Sequence, residues 1–475
     1  MKKAEESPQT IISKGRKNSS PLIEKVAYGL AGGSETIMAN LIFVLAYPIY
    51  QAGWGIDARW IGLAVGIPRL WDALVDPLMG NISDNAKNRW GRRKPFIFFG
   101  AILTGIVCML MWIPPANMGK MVIFGHFFIC SILYFTCYTV FSIPYNALGY
   151  EMSQSYDGRT NIMSFKLFFT CLVGSLTLPL AFRMCFWFGS DKITGVRIVG
   201  VIFGAIMIIF GVLPAFLCRE RVCNQHKIVL SSAFKSTLKN KLFLIACGIT
   251  IFMVLGVYIS LPLQYYVNMA YILPGNEVET SKYMMYNSYV WGIMGFISVP
   301  VINYFSRRYD KMIVLQVGLI LIIAGQMLTW FYYTPNKPYL QLLNSVIVPS
   351  GMTCIWLLIS SSIADICDLD ELNTNRRREG MFGAVYNMAV KGGVAFTITV
   401  SGYVINWTGY HASLTVQSSE TIFKIRLMIA FIPILFLSLA LIMTFIYPLS
   451  RQKVLVIRNA LDARQNNNVI SEVAK

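Results

Sequence analysis

Along its 475 residues the chain alternates long apolar runs with short polar turns. Twelve such runs can be drawn, near 26–50, 59–83, 95–114, 121–148, 161–184, 196–217, 242–265, 284–304, 311–333, 340–366, 380–407 and 422–447. Each reaches the roughly 20 residues that an α-helix needs to cross about 30 Å of hydrocarbon. The pattern therefore predicts an all-α membrane protein with about twelve transmembrane helices. A polar, basic stretch over 218–241 separates six runs from six. That spacing predicts a segment 1–25, a six-helix bundle 26–217, a linker 218–241, a second six-helix bundle 242–447 and a tail 448–475. Two bundles rocking about a midplane site would open that site to each side of the membrane in turn.

Composition agrees with this reading. Hydrophobic residues make up 55% and charged residues only 13%, with a mean hydropathy of +0.56. Soluble domains carry about 25% charged residues. The net charge of +18 raises the question of a nucleic-acid partner, but its distribution answers it. With the amino terminus in the cytoplasm, most Lys and Arg fall in inside segments, as the positive-inside rule requires. An even number of spans returns the carboxyl terminus to the cytoplasm, so segment, linker and tail are expected there. The cytoplasmic (inner) membrane is the expected location, and a monomer without nucleic acid the expected state. Residues 1–25 are polar and lead into no short apolar stretch with a cleavage site, so no cleaved signal is expected. The ten cysteines form no Cys-x-x-Cys pair, and His126, His226 and His411 lie far apart, so neither a metal centre nor a disulfide framework is expected. An intramembrane enzyme would need a nucleophile–base pair or a metal motif, and no His-Glu-x-x-His occurs.

The charges that do enter the apolar runs carry the chemistry. Arg69, Asp72 and Asp76 are spaced by three and four, so they share one helix face. Ionisable groups at membrane depth are expensive and usually face a water-filled cavity where they act. Two carboxylates one turn apart attract a cation or a proton, and Pro77 disturbs the carbonyl one turn back. A structural salt bridge is the simpler alternative. Lys391 lies mid-span beside Gly392 and Gly393 and needs a counter-ion, for which Asp72 and Asp76 are candidates. Thr139, Ser142, Tyr145 and Asn146 place polar groups at the end of the fourth run, suited to a polyhydroxylated solute. Lys166 enters the fifth run, and Asn387 stands four residues before Lys391. Glu35 suits solute binding and helix packing alike, and Trp356 suits stacking on a sugar as well as packing. Polar turns supply candidate gating charges: Asp84, Arg92 and Arg93 in one turn, Glu151 with Arg159 or another basic turn, and Asp365, Arg377 and Glu379 in a third.

These residues resemble the glycoside-pentoside-hexuronide:cation symporters, the melibiose-permease-like branch of the major facilitator superfamily. The likeness covers most of the chain and is sharpest over 69–95, 144–166 and 364–391. It implies a major facilitator fold, a coupling cation and a sugar-like substrate. By the resemblance, Asp72, Asp76 and Thr139 match cation-site residues, and Lys391 matches a lysine beside those carboxylates. Trp356 matches a tryptophan lining the sugar pocket, and Lys166 falls where the family has a sugar-site arginine. Val75 stands where an asparagine accompanies sodium use, which favours H+ over Na+ as the coupling ion. Ser142 replaces a galactoside-gripping aspartate, Asn146 replaces a tryptophan, and Glu35 aligns only approximately with a sugar-binding acid. The expected cargo is therefore a sugar, glycoside, pentoside or hexuronide other than a simple galactoside, with a lipid or other non-sugar organic solute as the alternative.

Overall fold

A computed structural model describes residues 21–86, 88–115, 119–153, 156–189, 191–220, 239–374, 379–412, 414–449, 451–457, 459–461 and 463. Among them the chain is helical and forms no strand. The long helices are α1 (Leu22–Ala46), α2 (Ala58–Asn85), α3 (Lys94–Met111), α4 (Lys120–Glu151), α5 (Tyr156–Leu172), α6 (Leu180–Phe188) and α7 (Lys192–Gly211). After the linker come α8 (Lys241–Val267), α9 (Glu277–Arg308), α10 (Lys311–Tyr332), α11 (Leu342–Thr374), α12 (Glu379–Trp407) and α13 (Ser419–Ile446).

Among the described residues, ten helices are long and apolar enough to cross a membrane, and an eleventh span arises if the pair bent by 46° at the α5–α6 break counts as one. The remaining long helix is α2. At 28 residues it is about 42 Å long, but Arg69, Asp72 and Asp76 interrupt its apolar character. Several starts are set by local chemistry: Asp191, Asn240, Asn276, Asp310 and Ser418 each accept a backbone N–H from the first turn that follows. Such caps satisfy donors that a helix leaves open at its start. Prolines stand inside α4, α8, α9, α11 and α13, where neighbouring groups in a bundle can take up the freed carbonyls.

The chain divides into two compact units, one within 1–45 and 74–226, the other within 46–73 and 227–475. Residues 46–73, which the hydropathy pattern assigns to the first bundle, thus cluster with the second unit. The cause is a seam of small residues between α2 and α12. A Cβ on Gly66 would lie 1.9 Å from the Thr399 hydroxyl, and one on Gly402 would lie 2.4 Å from the Ala58 carbonyl oxygen. Backbones approach this closely only where both sides are small. Tyr47 donates to the Ile398 carbonyl at 3.0 Å in the same seam. In the first unit, Gly100 of α3 does the equivalent work against the Phe141 backbone of α4.

Candidate functional site

In the second unit the chemistry centres on Asp72, which is fully buried. Its Oδ2 accepts from Arg69 Nη1 at 3.0 Å and pairs with Lys391 Nζ, also at 3.0 Å. The helical spacing of three brings Arg69 alongside Asp72, and Lys391 reaches it from α12. One buried acid thus meets two bases. Asp76 follows one turn along α2 and is half-buried. Asn387, one turn before Lys391, is exposed, and Trp356 on α11 is half-buried.

The first unit holds a second cluster with a different balance. Lys166 Nζ of α5 pairs with Glu35 Oε2 of α1 at 2.8 Å and donates to Asn146 Oδ1 of α4. Asn146 closes the triangle by donating its Nδ2 to Glu35 Oε1 at 2.6 Å, and it also meets the Ser142 carbonyl at 2.8 Å. Lys166 lies 4.9 Å from the Tyr145 ring centroid, within cation–π range. That ring stacks on Tyr28 at 4.5 Å, while its hydroxyl donates to the Tyr28 carbonyl at 2.7 Å. Gly32 makes room for the lysine: a Cβ there would sit 2.8 Å from Lys166 Cγ. Acid and base cancel, so this cluster is neutral. Thr139 is fully buried and donates to the Phe135 carbonyl of its own helix at 3.1 Å.

The α2–α3 turn gathers the candidate gating charges of the first unit. Arg93 Nη2 bridges Asp84 at 2.8 Å and Glu151 at 3.0 Å, and Arg92 Nη2 joins Glu151 at 2.5 Å. Glu151 therefore pairs with this turn; the side chain of Arg159 lies outside the described residues. Sequence reasoning missed Glu220, whose carboxylate accepts the backbone N–H groups of Arg92, Arg93 and Lys94 at 2.7–2.9 Å. Gly91, with φ of +120°, shapes the nest that holds it. The only hint in the chain was a lone acid at the head of a basic linker. In the second unit Asp365 pairs with Lys311, a partner that sequence reading did not name. Arg377 and the side chain of Glu379 lie outside the described residues.

Ionisable clusters set inside apolar helices define the class: a multi-pass membrane transporter. The chain belongs to the MFS/sugar transport protein family, which it matches over residues 27–451. It is 25% identical to the glucuronide carrier protein homolog of Escherichia coli, over 91% of this chain and 93% of that protein. It is 22% identical to the isoprimeverose transporter of Lactiplantibacillus pentosus, over 94% and 91%. Among solved structures, a bacterial homologue of the human lysosomal transporter Spinster superposes with a TM-score of 0.66 at 16% identity, covering 90% of this chain and 95% of that one. That likeness shows a shared fold, and the family match identifies it as the major facilitator fold.

Proposed function

We propose that this chain is a cation-coupled symporter of a sugar-like solute, a glycoside, pentoside or hexuronide, working by alternating access in the cytoplasmic membrane with both termini inside. The observation that carries the reading is the buried Asp72 oxygen shared by Arg69 and Lys391. A buried charge that loses one of its partners is less well compensated, so a positive charge arriving beside Asp72 would offset the withdrawal of Lys391. A coupling cation does that, with Asp76 as the neighbouring carboxylate. The proton is favoured because Val75 offers no polar ligand and two bases already occupy the Asp72 oxygen. Glu35, Asn146 and Lys166 are the proposed solute-binding groups, since hydroxyls can take over the bonds of a neutral triangle. The names of the glucuronide and isoprimeverose relatives support the sugar class. Coupling then means that cation and solute stabilise the occluded state together more than separately.

The test is solute-induced pH change in proteoliposomes, with and without sodium, across glycosides, pentosides and uronides. External alkalinisation on adding one solute, lost in Asp76→Asn, is the expected result. Full concentrative uptake by Asp76→Asn would sink the assignment. Sodium-dependent uptake without a pH change would replace the proton.

A further inference from the structure

A cavity of about 20 Å³ lies inside the second unit, lined by residues of α8, α9, α10, α11 and α13. It adjoins a polar layer whose members satisfy one another. Asn268 and Gln341 exchange side-chain bonds at 3.1 Å in both directions, and Asn287 donates to Gln341 at 3.1 Å. Ser345 donates to Asn287 at 2.9 Å, and Tyr332 donates to Asn344 at 3.0 Å. Where this layer is structural, its amides are paired, as buried polar groups ordinarily are.

Two amides on the cavity wall break that rule. Gln264 Nε2 is a buried donor and Gln326 Oε1 a buried acceptor, and neither has a hydrogen-bond partner among the described residues. Gln326 is only 1% exposed. Leaving such a group unsatisfied costs about 1–3 kcal/mol, which selection would remove by a Leu or Met at either position unless the groups are used. The two are complementary: a hydroxyl oxygen can accept from Gln264 and donate to Gln326 at once. The volume suits one such oxygen, since about 10–15 Å³ is the minimum for a water. The wall is graded as well. Val257 and Ser345 are 2% exposed, whereas Leu261 is 46% exposed and Trp291 is half-buried. An aromatic face beside paired amides is the chemistry that recognises a sugar ring and its hydroxyls.

We propose that Gln264, Gln326 and Trp291 form a hydroxyl-recognition subsite for the carried solute, taking one sugar hydroxyl between the two amides with the ring against Trp291. The inference rests on the sugar-symporter reading and names a specificity determinant in the second unit, apart from the Glu35–Lys166 cluster. An ordered water offers the same oxygen chemistry, and the experiment separates the two.

The full-length protein in nanodiscs is titrated by equilibrium dialysis with isoprimeverose, methyl β-D-glucuronide and methyl β-D-xyloside, followed by monodeoxy analogues of whichever binds. Gln264→Leu and Gln326→Leu should each weaken binding about tenfold, and the double variant little more, because both amides hold one oxygen. One deoxy analogue should bind wild type about tenfold more weakly than its parent, yet bind both variants as well as the parent does. The melting temperature without sugar should stay level or rise in the variants. Unchanged sugar affinity with a lowered melting temperature would assign the cavity to structural water and overturn the proposal. If Lys166→Gln weakens binding while both glutamine variants bind normally, the symporter reading stands and this subsite falls. Failure of every probe to bind wild type would overturn the sugar reading and the subsite with it.

Discussion

The two buried ion clusters are built from similar parts but balance them differently. In the first unit Glu35, Asn146 and Lys166 close a neutral triangle that stays partly accessible, with side-chain exposures of 14% for the acid and 20% for the base. In the second unit Asp72 is sealed at 0% and answers to two bases. A neutral triangle can trade its bonds for solute hydroxyls without leaving a bare charge. A sealed acid that loses one of its two bases is less well compensated, and an incoming positive charge offsets that loss. The difference suits the first cluster to cargo and the second to coupling.

The sharpest way to break this contrast is to remove the sealed acid. Asp72→Asn takes from Arg69 and Lys391 the buried carboxylate that they share, so a loss of about 3–5 kcal/mol is expected. Thermal unfolding of purified protein should show it, and Asp72→Asn/Lys391→Met should recover part. If Asp72→Asn melts like wild type, the carboxylate shared by Arg69 and Lys391 does not hold this cluster together.

The neutral triangle should respond more mildly. Glu35→Gln or Lys166→Met each strands one partly buried charge, at a cost of about 1–3 kcal/mol. The double variant Glu35→Gln/Lys166→Met restores neutrality, so its melting temperature should return toward wild type while uptake stays low. Recovered uptake in the double variant would show that the triangle only packs helices and does not hold solute.

How much of this was legible in the chain depends on sequence distance. Arg69, Asp72 and Asp76 could be placed on one face because helical spacing is local, and Lys391 pointed to Asp72 or Asp76, without a choice between them, because a lone base at membrane depth needs an acid. Glu220 was not legible: its partners lie 126–128 residues away, and they are backbone N–H groups, which carry no side-chain signature. The amide layer around Gln341 was hidden for another reason. Asn268, Asn287 and Gln341 are scattered singly along apolar runs, and only packing brings them together. The assignment of residues 46–73 to the second unit was equally invisible, since it depends on Gly66 meeting Thr399 and Gly402 meeting Ala58, each across more than 300 residues.

The turns of the two units offer a finer comparison. Glu220 receives three backbone N–H groups, whereas Asp310 receives two, from Met312 at 2.9 Å and Arg451 at 2.8 Å. Glu220→Ala should cost about 1–3 kcal/mol and Asp310→Ala about 1 kcal/mol. Hydrogen exchange should quicken at Arg92, Arg93 and Lys94 in the former, and at Met312 and Arg451 in the latter. Equal effects would mean that the third bond to Glu220 adds nothing.

The smallest effect expected is a pH response at two acids outside the spans. Burial alone would raise the Asp57 pKa, but the hydrogen bonds and charge of Arg59 outweigh it and hold the carboxyl below its ordinary value. Asp191 is also held low, first by its bond from Thr194. A depressed acid contributes stability that is complete above its unfolded value, about 3.9, and that is lost as pH falls through the folded one. The two acids differ in reach. Asp191 caps its own helix, whereas Asp57 also accepts from Asn406 of α12 at 3.1 Å, tying two helices of the second unit. Lowering the pH below about 4 should therefore cost wild type more stability than Asp57→Asn, and the gap should exceed that between wild type and Asp191→Asn. Melting curves from pH 6 to pH 3 would decide it. A larger gap for Asp191 would show that the tie between α2 and α12 rests on the glycine seam alone.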